Sequence, residues 1–107
     1  VRNRAGGAVD ASLGLMRIMG PDRTVRGIVV HFAAHGILAP AASRQVSAGW
    51  PGALCDTLEA RHPGATALFL QGAMGDVSPR APASDGDGFE RARGYGETIA
   101  KVASRIL

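Results

Sequence analysis

Cysteine occurs once in the 107 residues, at Cys55, which excludes a disulfide framework and any Cys-rich zinc module and leaves the redox compartment open. Aromatic residues are scarce, with three Phe, one Trp and one Tyr, and none alternates with arginine as a base-stacking platform requires. Lysine is rarer still. Eleven of the twelve basic residues are arginines, scattered between Arg2 and Arg105, so the net charge of +3 reads as a solvated surface and not as a nucleic-acid footprint. The longest apolar stretch, residues 65–70 with Thr66 inside it, falls far short of the ~20 residues that span a bilayer. No basic segment followed by an apolar one opens the sequence, so no signal peptide is expected. Charge is low, 20% against 46% hydrophobic, which excludes a disordered tail. A single domain of this length covers roughly two-thirds of its unfolded surface. Val1 is no initiator methionine and Leu107 stops inside a helical pattern, so the sequence is expected to be one piece of a larger polypeptide.

What is present is an α/β pattern. Residues 13–19 predict a strand, Gly20-Pro21-Asp22-Arg23 a turn, and the β-branched stretch 25–33 a second strand, together an antiparallel hairpin. A loop of small residues, 36–47, is punctuated by Gly36 and Pro40. Pro51 suits a first helical turn, and Trp50, Leu54 and Leu58 recur every four residues, predicting a helix over 51–61 that His62-Pro63-Gly64 ends. Residues 66–71 form a continuous apolar run, the mark of a strand covered on both faces, and share the centre of the sheet with the strand before the helix. Strand, helix and strand make a right-handed βαβ unit. After a second loop, 72–88, Asp87 with Glu90 three residues on resembles a capping box, Asp standing in for Ser or Thr. A helix then runs to the end, with Phe89, Ala92, Gly96, Ile99, Ala103 and Ile106 on its stripe. The expected fold is one α/β segment, a small mixed sheet with an N-terminal hairpin and helices packed on it.

Two loops carry candidate chemistry. His31 and His35 are four apart, as in helical zinc motifs, yet along a strand that spacing spans about 13 Å, too far for one zinc. His35 alone sits where its strand leaves the sheet, at the carboxyl edge where open α/β sheets bind ligands. The second loop, Gln71-Gly72-Ala73-Met74-Gly75-Asp76-Val77-Ser78-Pro79-Arg80, lacks the Lys-Ser/Thr of a phosphate loop and the G-x-S-x-G of a nucleophile elbow. By itself it reads as a turn in which Asp76 accepts hydrogen bonds from backbone amides, or as an anion cradle formed by the amides of 72–78.

Phe32-Ala33-Ala34-His35-Gly36 and Gly75-Asp76-Val77-Ser78-Pro79 resemble, in order and separation, two signature stretches of the neutral/alkaline non-lysosomal ceramidases and their bacterial ceramidase-like relatives. Asn3-Arg4, Val9-Asp10 with the strand after it, and Ser47-Ala48-Gly49-Trp50-Pro51-Gly52 are similar to further family segments, so the likeness reaches to about Arg80. The resemblance implies a zinc amidase that cleaves the N-acyl bond of ceramide to sphingosine and a fatty acid. It makes His35 a zinc ligand, gives Ser78 a nucleophilic or substrate-stabilising role, and places Asp76 in the same catalytic signature. The implied partners are a lipid amide such as ceramide and the rest of the parent polypeptide, at the cell envelope or secreted. Gly49 and Arg80 depart from the family's usual Asp and Asn. The family's other zinc ligands, a histidine upstream and a Glu and a Tyr downstream, lie outside this stretch, so one ligand of four is present. The alternative is a non-catalytic module of the same fold that binds a partner or an anion. In either case a parallel βαβ unit brings His35 and the 75–78 turn to one edge of the sheet.

Overall fold

A computed structural model describes residues 1–3, 5–38, 42–80 and 87–107; Arg4, Pro40 and stretch 81–86 of the second loop lie outside the described residues. Among the described residues seven elements follow in order: β1 (Arg2–Asn3), β2 (Gly14–Met19), β3 (Val25–Phe32), α1 (Gly49–Arg61), β4 (Thr66–Gln71), β5 (Val77–Ser78) and α2 (Gly88–Ser104). The architecture is mixed α/β. β2 and β3 form the antiparallel hairpin, β3 and β4 pair in parallel across α1, and β1 pairs antiparallel with β5 in a second, two-stranded sheet.

The hairpin turn follows from its sequence. Pro21 presets its φ, the Arg23 N–H donates to the Gly20 carbonyl at 3.0 Å, and the Gly20 N–H donates to the Thr24 carbonyl at 2.8 Å. Arg23 takes the left-handed conformation, φ 63°, that closes a three-residue hairpin loop. The Asp22 carboxylate accepts from the Thr24 N–H and hydroxyl and from Arg26.

Ile28, Val30 and Phe32 alternate toward the helices and are buried, meeting Trp50, Leu54 and Leu58 of α1. Trp50 is the hub. Its ring lies edge-on to Phe32, Phe69 and Tyr95 with centroids 6.2, 4.8 and 5.3 Å away, the arrangement favoured by the aromatic quadrupole. α2 packs on α1 through Gly96, where the backbones come so close that a Cβ would stand 2.4 Å from the Trp50 carbonyl oxygen. Asp87 caps α2 by accepting from the N–H groups of Phe89 and Glu90.

Several expectations need correction. β3 stops at Phe32, one residue short of the expected end, and α1 begins two residues early, at Gly49, whose N–H donates to the Ser47 hydroxyl. α2 ends at Ser104; Ile106 is exposed, Phe89 and Ile99 are only half-buried, and Tyr95 and Ala100 fill the core instead. Most consequential is β4. It pairs with β3 alone among the described strands, so β3 is the only central strand, and Leu68 and Leu70 face outward and exposed. An apolar run marks a strand as able to be covered on both faces; among the described residues only the helical face is covered. No helix of the described residues is long and apolar enough to cross a membrane.

Candidate functional site

Phe32 and Gln71 are register partners in the parallel pair, so the chain leaves β3 and β4 at the same edge. Two contacts bind the exits together. The Gly72 N–H donates to the Phe32 carbonyl at 3.0 Å, and the Gln71 side-chain amide donates to the Ala34 and Gly72 carbonyls at 3.1 and 3.2 Å. The backbones approach closely at Gly72, where a Cβ would lie 3.0 Å from the Ala33 Cα and from the His31 ring, tighter than ordinary van der Waals contact.

The second loop then folds back. The Val77 N–H donates to the Met74 carbonyl at 3.0 Å, closing a turn, and β5 pairs Val77 with Asn3 and Ser78 with Arg2. The Val77 carbonyl accepts from the His35 N–H at 2.9 Å. His35 and the Gly75-Asp76-Val77-Ser78-Pro79 segment, separated by some forty residues of sequence, are therefore joined directly through the backbone. Ser78 is half-buried, Pro79 buried and Asp76 exposed.

His35 is held from two sides. Besides its N–H on Val77, its carbonyl accepts from the Trp50 indole N–H at 2.8 Å. Its half-buried imidazole keeps Nδ1 buried with no hydrogen-bond partner. A buried polar atom costs free energy unless something satisfies it, and a nitrogen lone pair is satisfied by a proton donor or a metal ion. The described residues hold no group of three His, Cys, Asp or Glu placed to share a metal. His31 lies on the outward face of β3, its ring between Gly14 and Gly72.

Asp76 differs from the expected turn acid. Its carboxylate accepts from the Asn3 side-chain amide at 2.6 Å, which ties the N-terminal strand to the loop. The amides of Gly72 and Val77 are both engaged within the protein, which disfavours an anion cradle. Burial, with Glu59 and Asp56 nearby, pushes the Cys55 thiol above its ordinary value, away from thiolate character. A hollow of about 360 Å³ lies along the C-terminal half of α1 among Asp56, Arg61, Glu97 and Lys101 and shares no residue with the two loops.

Three contributors escaped the sequence reading: Trp50 as anchor of His35, Gln71 as clamp of the strand exits, and Asn3 as partner of Asp76. An amide ending an apolar run and an asparagine inside a recognised segment were the available signals.

No protein-family model and no curated protein matches the chain. Solved structures do. The chain shares its fold with part of the neutral ceramidase from Pseudomonas aeruginosa, at a TM-score of 0.77 and 19% identity over 97% of this chain and 20% of that chain. It shares it likewise with a ceramidase complexed with C2, at a TM-score of 0.81 and 17% identity over 97% of this chain and 20% of that one. The 107 residues thus span about a fifth of the proteins they match. The likeness is one of fold, to the family that the two loops resemble.

Proposed function

We propose that residues 1–107 are one segment of a larger ceramidase-like hydrolase that cleaves the N-acyl bond of ceramide or a related lipid amide. His35 serves as one zinc ligand, and Asp76 and Ser78 serve at the reacting amide. The observation that carries this reading is the junction of the two loops, the His35 N–H on the Val77 carbonyl at 2.9 Å, in a fold shared with ceramidases. The unpartnered, buried Nδ1 fits a single ligand position; the remaining ligands come from chain outside this segment, because zinc takes three or four protein groups. Bound zinc would polarise the amide carbonyl and lower the pKa of a coordinated water to near 7.

The residues of this chain supply position. Trp50 and Val77 fix the His35 backbone at both its polar atoms, so the imidazole is presented from a loop position pinned three residues past the end of β3. Ser78, one residue beyond the junction, offers a hydroxyl to attack the amide or to donate to the developing oxyanion. Asn3 immobilises the Asp76 carboxylate beside it. The test is hydrolysis of a short-chain ceramide by the full-length polypeptide loaded with zinc. His35→Ala and Ser78→Ala are each expected to lower kcat/KM by about a hundredfold or more with the melting temperature little changed. A folded, zinc-loaded full-length protein without amidase activity, or full activity in both variants, would refute the proposal.

A further inference from the structure

The sheet has a second face, turned away from the helices. Strand alternation and register place Gly14, Met16 and Ile18 of β2, Gly27, Val29 and His31 of β3, and Thr66, Leu68 and Leu70 of β4 on it. Packing agrees: Ile18 lies over Gly27, and Gly14, Met16, Val29, His31 and Leu70 line one shallow apolar hollow of about 200 Å³. Met16, Ile18, Leu68 and Leu70 are 61, 49, 53 and 47% exposed. His31 is the one ionisable side chain among these nine positions.

Exposed single hydrophobics are ordinary; a contiguous apolar patch on a half-parallel sheet is not, because parallel pairs are found covered on both faces. The size of the patch decides what covers it. Three strands about 4.8 Å apart, five residues long at about 3.3 Å each, offer roughly 250 Å² of face. A stable association between separate molecules buries about 800 Å² on each partner and carries the entropy of association besides. A layer tethered in the same chain escapes that entropy, and proteins of this fold have about four times as much chain outside the matched region.

We propose that this face docks an uncharged, apolar layer of the same polypeptide lying outside residues 1–107. The inference rests on the larger-polypeptide part of the proposed function and not on its zinc or amidase chemistry. Single cysteines test it in the full-length polypeptide with Cys55→Ala as background. Leu68→Cys and Met16→Cys report the face, and Val46→Cys, on a fully exposed loop position, is the control. Melting curves establish that each variant folds, and Met16→Cys, on the opposite edge strand of the sheet, stands in should Leu68→Cys fail. Native maleimide labelling is expected to be at least about tenfold slower on the face than at position 46, at every protein concentration, with equal rates after denaturation. Equal native rates would overturn the proposal. Protection that fades on dilution would overturn it too, in favour of a second copy. Labelling needs no activity, so an inactive but protected polypeptide refutes only the function, and an active but labelled one refutes only this.

Discussion

Gly94 and Gly96 stand two residues apart in α2 under opposite constraints. A Cβ on Gly96 would lie 2.4 Å from the Trp50 carbonyl oxygen and 2.8 Å from the Leu54 nitrogen, both backbone atoms of α1, whereas one on Gly94 meets nothing within 4 Å. Alanine relieves the conformational entropy that glycine loses in a helix, so Gly94→Ala should stabilise by about 0.5–1 kcal/mol. Gly96→Ala gains the same term but forces the helices apart, and should destabilise by about 1–3 kcal/mol net. Denaturant midpoints of the two variants should move in opposite directions; movement in the same direction would contradict the close helix crossing. Gly49 belongs with Gly96. It holds φ +59° with its would-be Cβ 2.7 Å from the Gly36 carbonyl oxygen, so the Asp usual in the resembled family would be strained here.

Among the elements, the β2–β3 hairpin depends most openly on one side chain. Hydrogen bonds from the Thr24 hydroxyl and N–H, with Arg26 beside them, hold the Asp22 carboxyl below its ordinary value of 3.8. A carboxyl whose folded value is depressed contributes its stability above the unfolded value and loses it as pH falls through the folded one. The difference in melting temperature between the wild type and Asp22→Asn should therefore be full at neutral pH and shrink as pH drops below 3.8. A difference that stayed constant through that range would show that the turn is held by Pro21 and the Arg23 conformation alone. β4 marks the opposite case, an element whose environment its own residues do not define. Phe69 packs on Trp50 while Leu68 and Leu70 stand open, so only half of its apolar pattern is satisfied within these residues.

At the scale of the molecule, local chemistry was legible and long-range placement only in part. The 20–24 turn, the Trp50-Leu54-Leu58 stripe and the Asp87 cap follow from propensity and spacing, which act over a few residues. The parallel pairing that brings His35 to the Val77 loop was legible too, because a βαβ unit leaves little topological choice. The edge position of β4 was not, since an apolar strand reads the same whether its second face is covered by these residues or by others. Tyr95 was missed because its partner, the Trp50 ring, comes from another helix. That ring has an optical consequence. Trp50 is the sole tryptophan of residues 1–107, fully buried among Phe32, Phe69 and Tyr95, and its indole N–H is bonded to the carbonyl of His35, so the tryptophan fluorescence of this segment reports on the core and on the backbone of the candidate site together. His35→Ala keeps that carbonyl and should leave the emission maximum in place. Gly49→Ala, which drives a methyl group against the neighbouring Gly36 carbonyl, should shift it to the red, and an emission spectrum is enough to tell whether a substitution has moved the loop or only stripped its side chain.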